Sequence, residues 1–276
     1  MGKFTGFHFQ VEFGLARPIL VFDSGIGGLS VLSEIRQLLP SNDFYYLFDN
    51  ARLPYGELTE QVLVDGCVEL VVSAATKINA ALVVIACNTA STLVLPVLRS
   101  KLTIPVVGVV PAIKPAASHT LSGHIGLLAT PATVKRSYTH ELVTKFASDC
   151  QVHMFGSSEL VMMAEQKMAG VPVDMEKLTG ILAPIQATQV DVLVLGCTHF
   201  PMLAYELSQI LGPGIKLLDS GFAIASRVQH VLEGLGEHQH PAPNSMKAWY
   251  TTPSLTLGLI QSLTDYGFSE IAPFTH

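Results

Sequence analysis

The sequence predicts an α/β protein built as two pseudo-symmetric lobes, each a mostly parallel sheet flanked by helices. Three observations predict it. Short apolar, β-branched runs alternate with amphipathic helical stretches along the chain, which is the pattern of βα units in a parallel sheet. Two of those runs deliver a cysteine to a turn: Leu82-Val83-Val84-Ile85-Ala86-Cys87-Asn88-Thr89 and Val192-Leu193-Val194-Leu195-Gly196-Cys197-Thr198-His199. The spacing also repeats, with 64 positions from Asp23 to Cys87 and 67 from Thr130 to Cys197. A duplicated βα lobe, its copies facing each other, accounts for all three.

Each element has its own reason. Residues 17–22 are an apolar run that ends in Asp23-Ser24-Gly25-Ile26-Gly27-Gly28, and Leu29, Leu32, Ile35 and Leu38 continue it as an amphipathic helix. The glycine-rich turn is neither GxGxxG nor a GKS/T P-loop, so phosphate binding is weakly supported, and Asp and Ser at a helix head also serve as ordinary N-caps. Residues 44–48 form a second strand closed by Asp49-Asn50. Leu53-Pro54-Tyr55-Gly56 then makes a rigid turn that presents a tyrosine and a bare backbone N–H. A long helix over 59–79 carries Cys67 as a packing residue.

The Cys87 strand leads into a helix over about 90–100, a strand over 105–110 and the irregular Pro111-Ala112-Ile113-Lys114-Pro115. From His124 the pattern restarts. A strand over 125–129 turns at Thr130-Pro131-Ala132-Thr133 into a helix running to about Phe146, followed by a strand over 152–155 and a helix over 158–168 with Glu159 and Glu165. Behind Cys197 come a helix through Leu203, Leu207 and Leu211, a strand over 215–218 ending in Asp219-Ser220-Gly221, and a helix to about Leu235. The stretch 236–245 is a loop whose His238 and His240 read as exposed, and 246–276 adds a strand, a helix and a strand. The expected division is a mobile tail over 1–16, a first lobe from 17–113 and 223–276, and a second lobe over 114–222.

Composition narrows the function classes. The 276 residues are 49% hydrophobic and 14% charged, enough apolar material for a sizeable core. A net charge of −6 without a Lys/Arg cluster argues against nucleic acid or anionic membrane as a primary partner. The four cysteines show no CxxC pairing or small-domain disulfide spacing, which points to a reduced, cytoplasmic setting. The apolar stretch over 80–98 carries Asn88, Thr89, Ser91 and Thr92 in its middle, so a strand-turn-helix explains it better than a bilayer span.

Both cysteines sit where a strand ends and a helix begins, beside free N–H groups and the positive helix end, a setting expected to favour thiolate. Three chemistries are open. A single-thiol nucleophile gives no reason for the second cysteine, and the phosphatase version fails because Leu93 and Leu203 stand where an arginine is needed. A metal site from Cys87, Cys197 and His199 has a poor Cys-x-His chelate and lacks a further ligand. Acid-base work on the two faces of one carbon uses both thiols, whose ordinary pKa of about 8.5 lets one act as base while the other stays protonated. A lone cysteine is commonly just a small buried hydrophobe, but two at matched turns favour the acid-base reading.

Val21-Phe22-Asp23-Ser24-Gly25-Ile26-Gly27-Gly28, Pro54-Tyr55-Gly56, Ala86-Cys87-Asn88-Thr89-Ala90 and Gly196-Cys197-Thr198-His199-Phe200-Pro201 together resemble the glutamate racemases of the cofactor-independent aspartate/glutamate racemase superfamily, over about 18–270. The resemblance implies a site in the interlobe cleft that interconverts L- and D-glutamate to supply D-glutamate for peptidoglycan. It implies that Cys87 acts on the Cα proton of D-glutamate and Cys197 on that of L-glutamate. Asp23 would assist Cys87 and accept the substrate ammonium, and His199 and Glu165 would assist Cys197. Ser24, Tyr55, Gly56, Asn88, Thr89, Thr130, Thr133 and Thr198 would bind substrate, the carboxylates being held by N–H, hydroxyl and amide donors because the motifs contain no arginine. The chain resembles the Gram-negative subset, which implies UDP-MurNAc-L-alanine as an activator near Arg99, Lys101 and Lys114. No PLP lysine, flavin motif or metal set is recognisable, so activity without cofactor is expected, in a monomer or homodimer. The alternatives are a racemase for aspartate or another amino acid, and a non-catalytic two-lobed amino-acid receptor.

Overall fold

The computed structural model describes residues 17–236 and 245–275. The tail expected over 1–16, and His238 and His240, lie outside the described residues. In chain order the elements are β1 (Ile19–Asp23), α1 (Leu29–Leu38), β2 (Phe44–Phe48), α2 (Glu60–Lys77), β3 (Leu82–Ile85), α3 (Asn88–Lys101) and β4 (Val106–Gly108). Then follow α4 (Ile113–His119), β5 (His124–Ala129), α5 (Pro131–Lys135), α6 (Ser137–Phe146), β6 (Gln151–Gly156), α7 (Glu159–Met168), α8 (Met175–Gln186), β7 (Val192–Leu195), α9 (Ala204–Leu211) and β8 (Lys216–Leu218). The chain closes with α10 (Gly221–Leu235), β9 (Met246–Tyr250), α11 (Leu257–Tyr266) and β10 (Glu270–Pro273).

The strands form two separate sheets, β10-β9-β2-β1-β3-β4 and β6-β5-β7-β8, in which every pairing is parallel. The order β2-β1-β3-β4 in the first is matched by β6-β5-β7-β8 in the second, the topological trace of the repeated spacing. Both faces of each sheet are covered by helices, which is why the strands read as unbroken apolar runs. Alternate residues serve opposite faces: Ile19 and Val21 pack toward α1 and α10, while Leu20 and Phe22 pack toward α2 and α3. In the second sheet Leu193 and Leu195 face α7, α8 and α9, and Val192 and Val194 face α4. Because all strands run one way, Asp23, Cys87, Thr130 and Cys197 all leave the carboxyl ends of central strands, where parallel sheets bind ligands.

Several boundaries differ from expectation for physical reasons. The helix expected from Thr133 to Phe146 is two, broken at Arg136, whose backbone is extended (ψ 136°) and whose guanidinium pairs with Glu60 of α2. The stretch after Pro111 is helix α4, with Pro115 in its first turn, where a missing N–H costs nothing. Helix α8 had a readable signal, since Asp174 caps Lys177 N–H at 3.0 Å and Leu178, Leu182 and Ile185 recur at helical spacing. Behind Cys197, Phe200–Leu203 is a 3-10 turn before α9. Strand β4 is shorter than the expected 105–110. Among the described residues no helix is long and apolar enough to cross a membrane.

Candidate active site

The first half-site grows from the end of β1. The Asp23 carboxylate is fully buried and accepts the N–H of Gly28 at 2.7 Å, closing the turn on itself. The hydroxyl of Tyr46, on the neighbouring strand, donates to the carbonyl of Gly25 at 2.6 Å. At the end of β3, Cys87 caps α3, its Sγ accepting the N–H of Ala90 at 3.4 Å, and its thiol donates to Ser24 Oγ at 3.6 Å. The expectation of a lowered thiol pKa is corrected here for Cys87. Burial first, and then the charge of Asp23, push the thiol well above its ordinary range, outweighing the Ala90 N–H and Ser24. Burial likewise raises the Asp23 carboxyl, against the pull of His199 and the N–H groups of Gly28 and Ser24.

The second half-site follows β7. His199 is 1% exposed, its Nδ1 lies 3.7 Å from Cys197 Sγ, and its Nε2 lies 2.7 Å from Oε1 of Glu165 on α7. Burial alone would lower the imidazole pKa. The bonds to Cys197 and Glu165 overcome it and hold His199 well above its ordinary range, favouring its protonated form.

Hydrogen bonds tie the two half-sites together. Thr198 Oγ1 donates to both oxygens of Asp23 at 3.3 Å, and the N–H of Ile26 donates to Oε1 of Glu165 at 2.8 Å. A Cβ at Gly25 would run into Glu165 and His199, so any side chain there would have to displace that pair. A charge on Cys197 would push the Cys87 thiol further up, so the two sulfurs are near enough to influence each other.

Around them Thr89 Oγ1 lies 3.1 Å from Thr130 Oγ1 and 3.3 Å from Thr133 Oγ1, joining the end of the first sheet to that of the second. The side-chain oxygen of Asn88 is buried and has no protein partner, so it is free to serve a ligand. Tyr55 differs from expectation: it is buried, and its hydroxyl donates to Asp49 Oδ2 at 2.6 Å. Asp49, which the sequence reads only as a strand end, also accepts from Arg52 at 2.7 Å and from Thr251 Oγ1 at 2.7 Å. The aspartate after a strand was the available signal; Thr251, 202 positions along the chain, was not. Gly56 abuts Thr130 across the two sheets.

The remaining candidates fall elsewhere. Arg99 donates to the carbonyl of Val106 at 3.1 Å, Lys114 stands over the Phe146 ring at 6.0 Å, and Lys101 lines a groove between α2 and α3. Among the described residues no group of three or more His, Cys, Asp or Glu side chains converges as metal ligands would. Beside Cys197, a cavity of about 10 Å³ lined by Asn88, Cys197, Thr198 and Ser220 holds at most one water.

Residues 26–228 match the Asp/Glu/hydantoin racemase family. A glutamate racemase of Shewanella baltica is 59% identical over 271 residues, covering 95% of this chain and 99% of the relative. Escherichia coli glutamate racemase, solved with L-glutamate and the activator UDP-MurNAc-ala, superposes with a TM-score of 0.87 at 47% identity, covering 94% of this chain and 98% of that one. The RacE1 glutamate racemase of Bacillus anthracis gives a TM-score of 0.78 at 26% identity, covering 94% and 97%.

Proposed function

The chain belongs to the Asp/Glu/hydantoin racemase family, and on that premise we propose that it interconverts L- and D-glutamate by two-thiol acid-base chemistry. Its product supplies D-glutamate for peptidoglycan, and it works in the cytoplasm without a cofactor. The observation that carries the mechanism is the coupling of two cysteine turns through Asp23–Thr198 and Ile26–Glu165.

Cys197, facing His199, takes the Cα proton of L-glutamate. Cys87, kept protonated by burial, returns one to the opposite face. In the reverse direction the two thiols exchange roles, and Asp23, its carboxyl also raised, takes the proton that Cys87 must give up. Asp23 accepts the substrate ammonium as well. The carboxylates are held by Ser24, Asn88, Thr89, Thr130, Thr133, Thr198 and the Tyr55-Gly56 turn, through hydroxyl, amide and N–H donors rather than arginine. We assign 17–113 with 223–276 to one lobe and 114–222 to the other, a division supported by the two separate sheets. Because the Escherichia coli relative was solved with UDP-MurNAc-ala as activator, turnover here is expected to rise with that precursor, acting near Arg99 and Lys114.

The test is D-glutamate in heavy water. Deuterium at Cα together with appearance of the L-enantiomer supports the reading. A pure receptor leaves the substrate untouched, and faster exchange on aspartate assigns the chain to another amino acid.

A further inference from the structure

Tyr46 is fully buried on β2, and the reaction described above makes no use of it. Its hydroxyl donates to the carbonyl of Gly25 at 2.6 Å. That carbonyl belongs to the same peptide group as the N–H of Ile26, which donates at 2.8 Å to Oε1 of Glu165. A peptide group is planar and trans, so its carbonyl and its N–H point in opposite directions and turn together. Gripping the carbonyl from the core of one lobe therefore fixes the direction in which the N–H meets the other. Oε1 of Glu165 is also the atom that meets His199 Nε2 at 2.7 Å, and the far nitrogen of His199 faces Cys197. One residue back along the turn, Ser24 touches the Cys87 thiol.

Resting on the glutamate-racemase reading, we infer that the Tyr46 hydroxyl is a positioning group: through the Gly25–Ile26 peptide it sets Glu165, and thereby His199, against Cys197. A buried tyrosine needs some acceptor for its hydroxyl. What sets this one apart is the acceptor, a peptide with its other end in the reacting constellation. Hydrogen bonds in series through one peptide also polarise each other, so the hydroxyl adds to the donor strength of Ile26.

Tyr46→Phe removes one oxygen and keeps the ring in place. In folded protein, with Tm checked by circular dichroism, kcat should fall about tenfold or more with KM little changed. The loss in kcat/KM should be equal in both directions, because L- and D-glutamate have equal free energy in water. The alkaline limb of the pH profile should move to lower pH, since a loosened Glu165 holds the His199 proton less firmly. In the Glu165→Ala background the same substitution should cost little, because the residue it acts through is gone.

Wild-type kinetics in Tyr46→Phe, or losses that multiply independently of Glu165, would overturn the inference. An inactive wild-type protein would instead end the racemase reading itself. Were Tyr46→Phe not to fold, Glu165→Ala puts the question another way. Amide exchange at Ile26 should quicken there, and an Ile26 amide as protected as before overturns the shared-peptide argument.

Discussion

Glu165 and His199 meet at 2.7 Å, carboxylate Oε1 to imidazole Nε2, and Glu165 brings the N–H of Ile26 with it. A glutamate on a helix is usually a solvated residue. This one instead joins Cys197 in raising the imidazole pKa and links His199 to the turn that carries Ser24 and Asp23. The pair therefore sets protonation on one side of the site and geometry between its two sides.

Glu165→Gln removes a contact that raises the His199 pKa. Turnover should drop about a hundredfold, and the alkaline limb of kcat/KM should move to lower pH. Stability follows by linkage. A histidine whose folded pKa lies above its ordinary 6.5 contributes stability that is complete below 6.5 and disappears as pH rises through the raised folded value. The stability gap between wild type and Glu165→Gln in urea melts should therefore be widest in mild acid and narrow toward alkaline pH. A gap that widened with pH would contradict the assigned charge.

The two thiols should be separately indispensable. Cys87→Ala and Cys197→Ala each remove the acid or base from one face of the carbon, so racemisation should fall roughly a thousandfold or more in either. Cys67, on α2 and buried against the first sheet, is the control, and Cys67→Ala should retain turnover at a cost in stability alone. Polarimetry on the three purified variants checks this, and near-normal rates in either of the first two would exclude the two-thiol scheme.

Asp23 is held where burial opposes its charge, its carboxyl raised above the ordinary range. For an acid, a raised folded pKa means that ionisation costs stability above that pKa and has no effect below both values. Asp23→Asn keeps an oxygen for the Gly28 N–H and removes the charge. It should raise Tm at neutral pH while lowering turnover about a hundredfold, the opposition expected of a site that stores unfavourable electrostatics for catalysis. A variant both less active and less stable would argue against burial as the dominant influence on Asp23.

Much of the architecture was legible because strands buried on both faces leave unbroken apolar runs, and the first polar residue after each marks the ligand-binding edge. That logic reaches Asp23, Cys87, Thr130 and Cys197 directly. It cannot separate Tyr45 from Tyr46, adjacent and alike in sequence: the first lies tilted against Trp249, ring centroids 4.7 Å apart, the second turns inward to Gly25. Nor does it bury Tyr55, whose place is set by Asp49. The break at Arg136 carries no glycine or proline; the backbone is extended there and the guanidinium pairs with Glu60 on another element. The raised Cys87 pKa was missed for a related reason: a helix terminus is visible in sequence, whereas the apolar enclosure that outweighs it is assembled only in the fold.

Gly56 reports on how closely the lobes must meet. A Cβ there would stand 2.9 Å from Cβ of Thr130 and 3.3 Å from its Oγ1, closer than packed atoms tolerate, and Thr130 caps α5 on the second sheet. The turn that carries Gly56 is braced from behind by the Tyr55–Asp49 bond, so it has little room to retreat. Gly56→Ala should therefore hold the lobes slightly apart at the threonine cluster and leave each sheet intact. KM should rise about tenfold, with a Tm change of only a few degrees, because interlobe contacts carry less of the stability than either core. Thr130→Ser, which removes the methyl 3.3 Å from the added Cβ, should recover part of that loss. Recovery in the double variant would place the effect at this contact, and a KM left at its wild-type value in Gly56→Ala would show that the two sheets need not approach this closely for turnover.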